Sequence, residues 1–139
     1  MNSIYEHLIS TLNKHSFSIP LRVYEAYSVG QPTYPAIVVD EVINREKVSV
    51  GRQERVTQLA YRFEIHCRDE WDEEAQAPIS RRQVAQRLGS ELDQVVRDQL
   101  GLTRTGDPAY LPAADQTVGR YVLTYQGYLS DDYIYQEGV

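Results

Sequence analysis

Apolar residues recur along the chain with two different periods, and each change of period marks an element. Ile4, Leu8 and Leu12 stand four apart, with Tyr5 and Ile9 beside them. That is the spacing of one helical face, and it predicts a short helix over residues 2–15, capped by Asn2 or Ser3. From Leu21 to Tyr27 the pattern alternates. Leu21, Val23 and Glu25 share one side and Arg22, Tyr24 and Ala26 the other, as in a strand. "SVGQPTYP" then packs a Gly and two Pro into a turn. "AIVVDEVI" is β-branched and apolar on both faces at its start, which predicts a strand from Ala36 to Asn44.

The clearest alternation runs from Glu54 to Arg68. Leu59, Tyr61, Phe63, Ile65 and Cys67 share the face expected to meet the core, and Ala60, Arg62, Glu64 and His66 share the other. Between the two strands, "REKVSVGRQ" keeps the alternation at Val48 and Val50, with Gly51 suited to the turn. The pair therefore predicts a long β-ribbon with a charged tip that outruns the domain body. A two-stranded ribbon alone is marginal in water. It needs a surface to lie on, such as another copy of the chain.

The second half begins with a polar acidic connection, "DEWDEEAQAPIS". A main helix follows over residues 80–100, with Val84, Leu88, Leu92, Val95 and Val96 as its apolar stripe and Ser80 as its cap. Gly89 costs about 1 kcal/mol relative to Ala inside a helix, which close approach to the sheet would offset. Gly101 is placed to end the helix. A loop with Gly106, Pro108 and Pro112 follows, with a short strand within residues 102–105. Val118 to Leu129 alternates as the last long strand, with Gly127 a candidate bulge. The tail "SDDYIYQEGV" is acidic and rich in Tyr. The order predicts one α+β domain over residues 1–139: a mainly antiparallel sheet with a long β-ribbon and two helices packed on one face.

Composition narrows the functional classes. A chain of 139 residues with 42% apolar and 24% charged positions can build one core. Cys67 is the sole cysteine, so an intrachain disulfide is excluded. No apolar run approaches the ~20 residues of a membrane helix, and "MNSIYEHLIS" lacks the basic start and apolar middle of a signal peptide. Synthesis in the cytoplasm and no membrane partner are the expectation. The net charge of −6 opposes general nucleic-acid binding. It is also uneven: residues 41–68 carry six Arg or Lys against four acids, whereas residues 69–77 hold five acids and no base. Such segregation reads either as a mixed soluble surface or as a device that orients like subunits. The eleven tyrosines against two Phe and one Trp suit surfaces buried on one side and wet on the other.

The residues that carry chemistry are sparse. His7, His15 and His66 are widely spaced and form no metal-ligand motif. Cys67 falls on a core face, where a thiol is inert. No Gly-rich phosphate cradle and no GxSxG elbow occurs. The expectation is no catalytic residue, no metal and no cofactor. Arg45, Lys47, Arg52 and Arg55 surround the ribbon tip and, with Val48 and Val50, form a candidate subunit interface. The tip suits a phosphate backbone or an acidic segment of a neighbouring copy. Glu46 and Glu54 dilute its basic character and favour the protein contact. Asp69, Glu70, Asp72, Glu73 and Glu74, with Asp131 and Asp132 in the tail, are either solvated surface or a second such patch.

In order and spacing, the chain resembles the tail terminator (tail completion) proteins of long-tailed bacteriophages. The features that carry this are "IYEHLISTL", "LRVYEAY", the Pro-led "YPAIVVDEV", the charged ribbon, "LAYRFEIHCRD", "RRQVAQRLGSELDQVVRDQL" and "GRYVLTYQGYL". They run over nearly the whole length. The resemblance implies an α+β structural subunit of the virion neck, made in the host cytoplasm and assembled as a ring, usually a hexamer. Such a ring ends tail-tube polymerisation, contacts the tail-tube protein, and offers a surface to the head connector or head-completion protein. DNA passes through its lumen without being read. The acids of 69–74 or Asp131 and Asp132 are the candidates for an acidic lumen that repels phosphate. Two alternatives remain: another head–tail joining or tail-tube protein, and a small nucleic-acid-binding domain using the basic ribbon.

Overall fold

In the computed structural model, which describes residues 3–26, 32–48, 55–130 and 133–135, the alternating segments form a seven-stranded sheet. Its centre is three long strands: β2 (Ala36–Val48), β3 (Arg55–Cys67) and β8 (Gly119–Ser130). β3 is antiparallel to both neighbours, with Val39 opposite Phe63 and Phe63 opposite Leu123. β1 (Arg22–Glu25) lies parallel to the first four residues of β2. The far edge of β8 is shared along its length by β7 (Ala109–Pro112), β6 (Thr103–Arg104) and β9 (Tyr133–Tyr135). Helices α1 (Ser3–Lys14) and α2 (Arg81–Gln99) cover one face, so the α+β architecture is as expected.

Side-chain alternation decides which face the helices cover. Leu59, Tyr61, Phe63, Ile65 and Cys67 are all buried, and so are Ile37, Val39, Leu123 and Tyr125 opposite them. α2 presses Val84, Ala85, Leu88, Gly89, Leu92, Val95 and Val96 onto this face. α1 adds Leu8 and Leu12, and its Tyr5 ring stacks on Tyr61 with centroids 6.1 Å apart. Phe63 meets Tyr125 edge-on at 5.5 Å, the arrangement that ring quadrupoles favour.

The ends of α2 follow its sequence. Ser80 Oγ accepts from the Gln83 N–H at 3.3 Å, and Gln83 Oε1 accepts from the Ser80 N–H at 3.1 Å, a reciprocal capping box. Asp69 Oδ1 accepts from the Arg81 N–H at 2.7 Å, satisfying a further amide of the first turn. At the other end Gly101 takes φ 68°, and the Leu102 N–H returns to the Val96 carbonyl at 3.3 Å. Gly89 faces the Tyr121 ring of β8 so closely that a Cβ there would sit 2.5 Å from Cε2. Helix and sheet approach at the position where the side chain is absent.

Four expectations change. First, the bulge lies in β2 and not at Gly127: Glu41 pairs with Tyr61 and Ile43 with Ala60, leaving Val42 as an extra residue, whereas pairing is continuous through Gly127. Second, the acidic connection folds as a hairpin of β4 (Glu70–Asp72) and β5 (Ala77–Ile79). Asp72 Oδ1 accepts from the Glu74 and Ala75 amides at 3.1 and 3.2 Å, which closes the turn locally. Third, the loop after α2 contains β7 as well as the expected short strand β6. Fourth, the ribbon is not a bare two-stranded arm over its described length. β8 runs beside β3 as far as the Thr57–Leu129 pair, and β9 runs beside β8. Only the outermost described pairs, Lys47–Val56 and Val48–Arg55, extend past β8. Hydrogen bonding to these added strands stiffens the base of the arm.

Candidate functional site

Three surfaces carry the unusual chemistry: the arm, the open face of the sheet, and the acidic hairpin. β2 and β3 are each thirteen residues long. β1 pairs only with residues 36–39 of β2, and among the described residues no strand lies beyond residues 43–48 on that edge. Of the expected interface residues, Arg45 is exposed and its guanidinium donates to Gln58 Oε1 at 2.9 Å. Lys47, Val48 and Arg55 lie at the outermost pairs. Val50 and Arg52 lie outside the described residues, as do Asp131 and Asp132. Val42, the bulge residue at the arm's base, is 51% exposed.

The open face, opposite the helices, carries an ion network. Arg62 Nη2 meets Asp40 Oδ2 at 2.8 Å and its Nε meets Glu64 Oε2 at 3.4 Å. His66 Nε2 lies 3.4 Å and Arg120 Nε 2.8 Å from Glu64 Oε1. The Arg120 contact is an ion pair without the alignment of a hydrogen bond. Glu64 is the hub. The His66 hydrogen bond chiefly holds its carboxyl below the usual glutamate range; burial pushes the other way, and Arg120, His66 and Arg62 add attraction. Arg62, Glu64 and His66 share this face by simple alternation. Asp40 and Arg120 join them only through cross-strand register, which the sequence does not spell out.

The covered face holds two buried phenols. Tyr61 donates to Glu41 Oε2 at 2.9 Å, and Tyr125 donates to Asp93 Oδ1. Burial first, and then the neighbouring carboxylate, push both phenols well above the usual tyrosine range. Asp93 also pairs with Arg97 at 3.3 Å and Arg104 at 3.7 Å, so it ties α2 to β6 and β8. These are structural anchors. Cys67 is buried beneath α2, and burial pushes its thiol up to about 11. At neutral pH it is protonated and unreactive.

The acidic hairpin is partly committed within the chain. Asp69 caps α2 and lies 3.6 Å from Arg81 Nη1, and Asp72 pairs with Arg87 at 3.3 Å. The Ala75 amide leads the contacts that hold the Asp72 carboxyl below its usual range. Glu73 and Glu74 are exposed at the turn, and Glu70 is half-buried. Five acids therefore do not form one free patch: Glu73 and Glu74 are the outward pair. Trp71, between them and the body, is 53% exposed. Sequence reasoning grouped it with the acids and missed its exposure, because an indole in a polar stretch signals nothing until the hairpin register is known.

A cleft of about 610 Å³ lies beside the hairpin, lined by residues including Tyr34, Arg68, Asp69, Glu70 and Asp115. Arg68 lies over the Tyr34 ring at 4.3 Å and pairs with Asp115 at 3.4 Å, so its charge is already engaged. No group of three or more His, Cys, Asp or Glu among the described residues could hold a metal ion. None of the described helices is long and apolar enough to cross a membrane. The arrangement can dock surfaces and hold charge. No family model matches the chain, and no curated protein matches it in sequence.

Proposed function

We propose that the chain is a structural ring subunit of the neck of a long-tailed phage, ending tail-tube polymerisation and joining the tail to the head connector or head-completion protein. One observation carries the reading. Among the described residues, the thirteen-residue β2 has a strand partner on its outer edge for only four residues. A long open edge invites pairing with another chain, and in a like-subunit assembly the neighbour is another copy. Segregated charge agrees with this: Arg45 is exposed at the arm, and Glu73 and Glu74 at the opposite end of the sheet. The ion network of the open face is itself balanced, with Asp40 and Glu64 against Arg62 and Arg120, so it adds little net attraction for phosphate. The reading assigns no catalytic residue, metal or cofactor.

Native mass spectrometry of the purified chain tests it. A dominant hexamer, or rings that grow with concentration, supports the reading. A strict monomer whose affinity for DNA falls steeply with salt replaces it with the nucleic-acid-binding alternative. A stable ring that does not cap purified tail tubes favours another head–tail joining protein. Charge reversal at Arg52 and Arg55 is expected to impair assembly while circular dichroism of the monomer is unchanged. Unfolding of that variant, or undiminished assembly, counts against the arm as the joining element.

A further inference from the structure

Trp71 and Val42 are the large apolar side chains left exposed among the described residues, at 53% and 51%. They sit in opposite electrostatic settings. Trp71 lines a hollow of about 250 Å³ with Ile19, Pro20, Ile79, Glu73 and Glu74, and with Arg87, whose charge is taken by Asp72 at 3.3 Å. Val42 lies at the base of the arm, three residues before the exposed Arg45. One surface offers an aromatic face with two carboxylates, Glu73 and Glu74, beyond the internally paired Asp72 and Arg87; the other offers an aliphatic knob with guanidinium. Guanidinium groups bind readily over indole faces flanked by negative charge.

The two surfaces cannot meet within one chain. Val42 is level with Tyr61, and the hairpin starts only after β3 has run on to Cys67. The six strand steps from Tyr61 to Cys67 alone span about 20 Å.

We propose that the Trp71 hollow is a receptor for the arm of a second copy, with Val42 and Arg45 of the incoming arm against Trp71, Glu73 and Glu74. This rests on the ring reading and supplies its contact. Such a contact joins unlike surfaces of identical subunits, so repetition closes a ring when the rotation permits and an open filament when it does not. Apolar matching supplies the buried centre and opposed charge fixes the direction in which copies add.

Trp71 is the only tryptophan in the chain, so fluorescence excited beyond the tyrosine absorption band reports on this hollow alone. In the full-length protein, emission should shift to the blue and acrylamide quenching should fall as the oligomer forms. Glu73→Lys with Glu74→Lys should weaken association by about a hundredfold, as when opposed charges become like charges. Arg45→Glu with Lys47→Glu should do the same. An equimolar mixture of the two variants should associate again, because each restores the other's missing sign, and circular dichroism should show both folded. An oligomer whose Trp71 is quenched as readily as in the monomer, or one indifferent to the reversals, overturns the contact and leaves the ring reading standing. A chain that never associates overturns both.

Discussion

Replacing Gly89 with Ala should destabilise the protein, although alanine is the better helix former by about 1 kcal/mol. The new Cβ would lie 2.5 Å from Cε2 and 2.9 Å from Cδ2 of Tyr121. Carbon atoms rest comfortably at ~3.5–4.0 Å, so the ring must retreat by about 1 Å. Tyr121 belongs to β8 and is half-buried against the core, so the ring can retreat only by giving up part of that packing. Adding a methyl group to such a site costs about 1–3 kcal/mol. Net of helix propensity, Gly89→Ala should lose about 1 kcal/mol. The decisive measurement is the background dependence. With Tyr121→Ala the obstacle is gone, and Gly89→Ala should then be neutral or stabilising by up to ~1 kcal/mol. Urea unfolding of the four proteins, read at constant m-value, gives both changes. A stabilising Gly89→Ala in the parent chain, or the same change in both backgrounds, refutes the close-approach argument.

Glu64→Gln should cost about 1–2 kcal/mol by leaving Arg120 and His66 without their carboxylate; its urea midpoint relative to the parent checks this. Because the folded state lowers the Glu64 pKa, its contribution is present above the unfolded glutamate value and is lost as pH falls through the folded one. The gap between parent and variant should therefore close in acid. Tyr61 and Tyr125 have raised pKa values, so their contribution is intact below the unfolded tyrosine value of ~10 and falls as pH rises beyond it. Phe at either position should flatten the alkaline limb of a stability–pH profile while removing about 1 kcal/mol at neutral pH. Leu88→Ala, at a fully buried site, should cost about 2–5 kcal/mol by thermal or chemical unfolding.

What the sequence made legible follows the range of the interactions involved. The stripe of α2, its Ser80 cap and its Gly101 stop are set by neighbours within a few residues, and each appears where local pattern put it. The buried face of β3 was legible for the same reason, since alternation needs no knowledge of the partner strand. Register was not legible. The Val42 bulge, the joining of Asp40 and Arg120 to the Glu64 hub, and β9 alongside β8 all depend on which residues face across strands. The β4–β5 hairpin escaped because its acids read as solvent-facing loop, whereas Asp72 spends its carboxylate on the turn amides. At the candidate site, local pattern located the basic arm and the acidic segment. It could not separate Glu73 and Glu74, which point outward, from Asp69 and Asp72, which serve α2 and the turn.

The supernumerary Val42 gives β2 an odd–even inversion partway along its length. Positions 37, 39 and 41 share the covered side, whereas outboard it is 44, 46 and 48 that pair with 59, 57 and 55. Any single insertion or deletion beyond that point would invert every outboard side chain and exchange the two surfaces of the arm. Changes of two residues in each strand would preserve them. The reach of the arm is thus quantised in steps of about 7 Å, and a change of length that keeps both surfaces is confined to those increments.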